Sequence, residues 1–391
     1  MSEPFWLLLL GLLPVSALSG WWAASRYYKR GEQRHHHAIS SNYFRGLNYL
    51  LNEQPDKAIE VFLKLAEINT ETAETHLALG NLFRRRGEVD KAIRFHRHII
   101  SRSSLSEQHR TQALLELGED YMRAGLLDRA EKLFSELTDD GRYSEVAIRN
   151  LLSIYQQEKD WKNAIVQARK LQQVCDHDAS AVIAQFHCEL AIESAQAGDA
   201  GNARRHLATA RSHHAECTRA YLAEADLDVE EQQWAAAAQK YQAACELDPD
   251  ITVLVVESLS RCFSKMGSEP LLLDWLESLV TRGSTLAPVL AFAAIRAESD
   301  PSSAIHFLLG QLQERPTARG LYQLLELMHR HGHRSDEIDP SLLRNLMHRL
   351  LADQPRFRCR QCGFSGQTWH WQCPSCREWE TTRPVIGVLG E

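Results

Sequence analysis

Six alanines constrain this chain more than any other feature. Ala58, Ala92, Ala130, Ala164, Ala203 and Ala237 follow one another at intervals of 34, 38, 34, 39 and 34 residues. A period near 34 marks a helix–turn–helix unit that cannot bury its apolar face alone and must stack on copies of itself. Twelve residues before each alanine stands Gly46, Gly80, Gly118, Leu152, Ala191 or Ala225. Small side chains at both places let two helix backbones approach. The two positions are therefore expected to face each other where the first helix of a unit crosses the second. Aromatic residues follow the first position at Tyr49, Phe83, Tyr121 and Tyr155, and follow the alanine at Phe62, Phe134 and Tyr241. His96, Ala168 and Leu207 take the latter place in the other units. These positions read as core, not as a ligand box. The intervals of 38 and 39 place four or five extra residues in the turns between units.

The pattern resembles the tetratricopeptide family over roughly residues 42–250. That resemblance implies an all-α superhelix, a right-handed solenoid of helix pairs. Pro249 lies twelve residues after Ala237, where a proline stops a second helix. Beyond it Ala304 and Leu308 mark a degenerate unit, and residues 321–351 add amphipathic helix, so the array is assigned to residues 42–354. Such arrays hold a peptide or protein in a concave groove lined by the first helices. The register places Asn81, Arg84 and Arg85 of one unit, and Glu119 and Arg123 of the next, in that groove as candidate partner-binding residues. Arg84, Arg85 and Arg86 with Arg94 and Arg97 form a basic cluster. It reads either as a site for an acidic segment or as a solvated face.

Near the C-terminus, residues 355–385 carry Cys359 and Cys362, then Cys373 and Cys376, as CxxC, ten residues, CxxC. Each pair bends into a knuckle, with Gly363 after the first and Pro374 inside the second. Two knuckles aim four thiolates at one point, a tetrahedral site for one iron or zinc ion. With all four positions filled by sulfur, no coordination site is open to substrate. The ion is expected to be structural, or at most an electron carrier. A module of this size cannot build a sufficient core alone, so the metal supplies much of its folding energy. Phe357, Phe364, Trp369, Trp371 and Trp379 are expected to pack round the site or to dock it on the last helices of the array.

The N-terminus is the other strong signal. No charged residue occurs from Pro4 to Ser25, a run of 22 positions. At about 1.5 Å per residue that run spans roughly 33 Å, enough for a hydrocarbon core of about 30 Å. Trp6 at one end and Trp21, Trp22, Tyr27 and Tyr28 at the other make an aromatic belt. Ala17-Leu18-Ser19 imitates a cleavage site, but Glu3 is the sole charge before the run and no basic n-region precedes it. Residues 1–25 therefore read as an uncleaved transmembrane anchor. Arg26, Lys29, Arg30 and Arg34 follow it in a linker over residues 26–41, which places the bulk of the chain in the cytoplasm and the N-terminus outside. His35, His36 and His37 belong to that linker, a solvated stretch beside the membrane.

The remaining five cysteines, Cys175, Cys188, Cys217, Cys245 and Cys262, are scattered and odd in number. They read as reduced thiols of a cytoplasmic protein. A net charge of -7 gives nucleic acid no electrostatic help. Arg356, Arg358 and Arg360 among aromatics permit a nucleic-acid-binding ribbon, yet the anchor and the acidic balance speak against one. No phosphate loop, GxGxxG, HExxH or GxSxG occurs, and the 18 histidines are dispersed, so an enzyme is not expected. His213, His214, His331 and His333 are assigned surface or capping roles.

Anchor, basic linker, repeat array and rubredoxin-like or zinc-ribbon-type module together resemble the bacterial lipopolysaccharide assembly protein B family. The resemblance implies an adaptor at the inner membrane that regulates lipopolysaccharide synthesis. It also implies work with the membrane protease FtsH to promote degradation of the deacetylase LpxC. A membrane sensor of lipopolysaccharide, and other proteins of lipopolysaccharide synthesis or transport, are further implied partners, and a homo-oligomer is left open. An assembly scaffold without a proteolytic role shares every sequence feature with this reading. A membrane-tethered electron carrier with an iron centre is the remaining alternative.

Overall fold

The computed structural model describes residues 73–101, 105–175, 178–282, 286–331 and 340–387, with Trp21 and scattered positions between 44 and 61. The expected anchor and linker lie outside the described residues, Trp21 excepted. Among the described residues no helix is long and apolar enough to cross a membrane.

The chain divides into two compact units, Met1–Lys159 and Asp160–Glu391. The first contains α1 (Ala73–Arg85), α2 (Val89–Ile100), α3 (Glu107–Arg123), α4 (Leu127–Leu137) and α5 (Ser144–Glu158). The second begins with α6 (Trp161–Cys175), α7 (Ser180–Gln196), α8 (Ala200–His213), α9 (Thr218–Glu230) and α10 (Trp234–Leu247). A short 3-10 turn over Pro249–Ile251 leads into α11 (Thr252–Met266), α12 (Glu269–Thr281), α13 (Leu286–Ser299), α14 (Pro301–Glu314), α15 (Ala318–Arg330) and α16 (Pro340–Ala352). Three short strands close the chain: β1 (Phe357–Cys359), β2 (Ser365–Gly366) and β3 (Thr382–Pro384). Each unit is built of α-helix pairs of the tetratricopeptide kind, and the second ends in a small metal-binding module.

The repeat alanines explain the stacking. Ala58, Ala92, Ala130, Ala164, Ala203, Ala237 and the degenerate unit's Ala304 are all 0% exposed. Phe83, Phe134, Tyr121, Tyr155 and Tyr241 are buried beside them, as core positions should be. The crossing geometry differs in one respect from the expected pairing of glycine with alanine. The glycine sits against the ring one turn beyond the alanine. A β-carbon on Gly118 would fall 2.6 Å from the Phe134 ring, and one on Gly80 would fall 2.1 Å from His96. A bulky ring on the second helix thus fills the space that glycine vacates on the first.

A second regularity lies five residues before each of Ala92, Ala130, Ala164, Ala203 and Ala237. Gly87, Gly125, Lys159, Gly198 and Gln232 all have positive φ, at 81°, 73°, 59°, 78° and 60°. Each ends the first helix of its unit in the left-handed conformation. The following N–H reaches back five positions, as in Glu88 to Phe83 O, Leu126 to Tyr121 O, Asp199 to Ser194 O and Gln233 to Asp228 O. This is the Schellman closure, which satisfies carbonyls left open at a helix end. The extra residues of the longer repeats also fall elsewhere than expected. They lengthen first helices rather than turns: Glu107–Arg123 and Ser180–Gln196 have 17 residues each, against 13 in Thr218–Glu230. An added turn at the N-terminal end keeps the crossing point and the cap in register. The last described helix ends at Ala352.

Candidate metal centre and its seat on the repeats

β1 is the middle strand of an antiparallel sheet ordered β2-β1-β3, with Phe357 opposite Gly366 and Cys359 opposite Thr382. The sheet delivers Cys359 into the first knuckle. There the Gly363 N–H bonds Cys359 O at 3.0 Å and the Cys359 N–H bonds Phe364 O at 2.7 Å. The second knuckle repeats the pattern: Arg377 N–H to Cys373 O at 2.9 Å and Cys373 N–H to Glu378 O at 2.9 Å. Gly363 and Arg377 occupy the same left-handed place in the two loops, at φ 79° and 61°. Glycine there was legible in sequence, whereas arginine in the same conformation was not.

The four sulfur atoms lie within 4.8 Å of one another. Cys359 Sγ is 3.7 Å from Cys376 Sγ, and Cys362 Sγ is 3.6 Å from Cys373 Sγ. A tetrahedral ion with bonds of about 2.3 Å requires sulfur separations of about 3.8 Å. A disulfide would bring a pair to about 2.05 Å, and all four cysteines are free. The residues present therefore fit one tetrahedral ion held by thiolates. Burial works against ionising Cys359, but the hydroxyl of Thr381, 3.2 Å from its Sγ, and the N–H groups of Cys362 and Gln361 bring its thiol down to about 6. The N–H of Phe364 draws the Cys362 thiol down as well. Burial, then the neighbouring thiols, push Cys376 up to about 12. Ionising all four sulfurs at this spacing would require a cation among them.

The module's tryptophan rings sit on the middle of the second unit, while its backbone and Gln367 also meet the last helices, with Arg319 of α15 donating to Pro355 O at 3.2 Å and Gln367 to Ala352 O of α16 at 3.4 Å. The ring of Trp379 meets Trp161 of α6 at 6.1 Å and Phe186 of α7 at 6.0 Å. The Arg219 guanidinium of α9 lies 5.8 Å from the Trp371 ring and 5.6 Å from the Trp379 ring, and pairs with Glu189 at 2.7 Å. Gln185 donates to Glu380 at 2.8 Å, and Arg383 lies 3.4 Å from Asp248 and 3.6 Å from Asp250. Trp369 and Trp371 join the apolar cluster that contains Tyr241, Ile251 and Leu276. Phe357 packs edge-on against Trp369 at 5.6 Å, and Phe364 stays 37% exposed. Sequence gave no sign of Arg219 or Gln185, which lie about 160 and 195 residues before their partners.

The candidate groove residues fall in the first unit. Arg84 and Glu119 are brought together: Arg84 pairs with Glu116 and Glu119 at 2.7 Å each and with Asp120 at 2.8 Å. Asp120 also bonds His96 at 2.6 Å, and both of those side chains are 0% exposed. Arg84 thus ties α1 to α3 through a part-buried ion network. Asn81 is half-buried, with its Oδ1 facing no donor among the described residues. Arg85 and Arg123 are exposed.

Residues 357–384 match the family described as rubredoxin metal binding domain, and residues 75–111 match the tetratricopeptide repeat. Lipopolysaccharide assembly protein B of Escherichia coli K12 is 34% identical over 386 residues, covering 98% of this chain and 99% of the relative. The protein of that name from Haemophilus influenzae is 31% identical over 400 residues, covering 97% and 98%. A solved tetratricopeptide repeat protein from Parabacteroides merdae is 14% identical with a TM-score of 0.33, covering 66% of this chain and 99% of that one. The crystal structure of MamA is 20% identical with a TM-score of 0.30, covering 44% and 94%. Similarity to the curated relatives runs through repeats and cysteine module alike, and the chain belongs to the lipopolysaccharide assembly protein B family.

Proposed function

We propose that this chain is a membrane-anchored, non-enzymatic adaptor that regulates lipopolysaccharide biosynthesis by promoting FtsH-dependent proteolysis of LpxC. The observation that carries the reading is the match along 98% of the chain to lipopolysaccharide assembly protein B. Residues 4–25 anchor the chain in the inner membrane with the N-terminus periplasmic and the repeats on the cytoplasmic side. Confinement to the membrane plane raises the effective concentration of the array near a membrane protease. The repeats hold protein partners, among them a membrane lipopolysaccharide sensor. Cys359, Cys362, Cys373 and Cys376 hold one iron or zinc ion. When bound, that ion cross-links the two knuckles and neutralises their thiolates, and its part is structural. Trp371 and Trp379 then keep the folded module on the second unit, where it stiffens the array.

The test is the half-life of LpxC in cells with the chain present or depleted, in strains with active or inactive FtsH. The expected result is a long half-life on depletion only where FtsH is active. An unchanged half-life would remove the proteolytic role and leave the scaffold reading in front.

A further inference from the structure

Where the metal module meets the turns of the second unit, a cleft of about 330 Å³ remains. Its floor comes from the loop between α8 and α9 (His214, Glu216) with Thr218 at the start of α9, and from Leu247 at the end of α10 with Asp248 and Asp250 after it. Its other wall is the module itself, through Arg360, Trp371, Glu380 and Arg383. We propose that this cleft receives a lysine or arginine side chain of a partner polypeptide, and that the metal module is therefore part of a recognition surface.

The charge in the cleft sets the sign of its ligand. Glu216, Asp248, Asp250 and Glu380 face two guanidinium groups, those of Arg360 and Arg383. Those two already lie against Asp248 and Asp250, at separations of 3.4 to 3.9 Å. Glu216 makes no ion pair with either guanidinium, and Glu380 is reached at longer range by His214, Arg383 and Arg219. Glu380 accepts one bond from the neutral Gln185 amide. Arg219 lies close by but is engaged by Glu189 and by the two tryptophan rings. An anion entering here would meet excess carboxylate, whereas a cation would relieve it. Burial raises the carboxyls of Asp250 and Glu380 above their ordinary range, a cost that an incoming positive charge lowers.

Shape narrows the class further. Among the described residues, the cysteine centre is the sole group of three or more potential ligands that converges on a point, so the cleft carboxylates are too spread for a divalent metal ion. Its volume lies at the small end of ligand pockets, which suits one side chain rather than a larger cofactor. Trp371 offers an aromatic wall, which favours ammonium and guanidinium groups. An apolar ligand would find little beside Leu247 and that ring. The inference rests on the cleft alone and not on the lipopolysaccharide reading.

The probes are Nα-acetyl-arginine amide and Nα-acetyl-lysine amide, titrated into the metal-loaded chain and followed by NMR or calorimetry at low salt. Nα-acetyl-glutamine amide, Nα-acetyl-glutamate amide and putrescine serve as comparisons. Expected is binding of both capped basic residues with dissociation constants on the order of 1 mM, as small ligands of this size allow. Glu216→Gln, on an exposed loop residue, weakens binding several-fold with the fold intact, and Asp250→Asn weakens it further. The Cys359→Ser/Cys362→Ser chain, which lacks the module wall, binds neither probe. Equal binding of the glutamine or glutamate amide would overturn the assignment. So would binding of putrescine without the capped residues, persistence in the double-serine chain, or indifference to Glu216→Gln.

Discussion

Trp379→Ala separates the folding of the metal module from its seating. The substitution leaves all four cysteines and both knuckle loops intact, so the ion stays bound. It removes a ring that meets Trp161, Phe186 and Arg219 at 6.1, 6.0 and 5.6 Å. A tryptophan covers about 150–250 Å². With most of that area withdrawn from water at about 25 cal/mol per Å², the seat loses roughly 3 kcal/mol. Undocking then becomes easier by on the order of 100-fold. The assay is limited trypsin digestion of the metal-loaded chain, following release of a metal-bearing C-terminal fragment by mass spectrometry. When opening is fast, release tracks the population of the open form. The alanine variant should release the fragment about 100-fold faster than the parent, and Trp379→Phe should fall between. Equal release rates with metal retained would refute an aromatic seat.

Gly118→Ala should destabilise the first unit by about 1–2 kcal/mol in urea, since its β-carbon falls 2.6 Å from a fully buried Phe134 ring; adding Phe134→Leu should recover part of the loss. Gln232→Gly should raise stability by about 0.5–1 kcal/mol, because glutamine holds a φ of 60° that glycine adopts freely. His187 is held at about 4 by burial and by His206, His213 and Arg169. The unfolded chain binds that proton near pH 6.5, so thermal stability should fall as pH drops from about 6.5 towards 4, and His187→Gln should flatten that decline. Metal analysis should find one iron or zinc per chain, and Cys359→Ser/Cys362→Ser should reduce it to none.

What was legible in sequence was what spacing controls. The cysteine pairs announced their site because only two knuckles bring four sulfurs together, and the alanines announced the stacking because nothing larger fits where they stand. The caps were half hidden. Gly87, Gly125 and Gly198 carry a signal, but Lys159 and Gln232 take the same backbone conformation with side chains that give none. Tertiary packing imposes the turn there. The length of α3 and α7 was misplaced because a residue count between landmarks does not say whether an extra turn is helical. The mid-unit part of the module's seat is hidden in sequence for a similar reason. Chain neighbours dominate sequence reasoning, yet Trp379 finds Trp161 more than 200 residues away. The Arg84 network was missed because a cation on α1 and carboxylates on α3 look solvent-facing until the helices are side by side.

The most direct measurement of the central claim is the half-life of LpxC in cells whose sole copy of this chain is either the parent or Cys359→Ser/Cys362→Ser, at matched abundance and with FtsH active. The account predicts that the double-serine chain lengthens the half-life towards that of depleted cells, because an unfolded module no longer docks on the array and stiffens it. LpxC turnover indistinguishable from the parent, with metal confirmed absent, would contradict it.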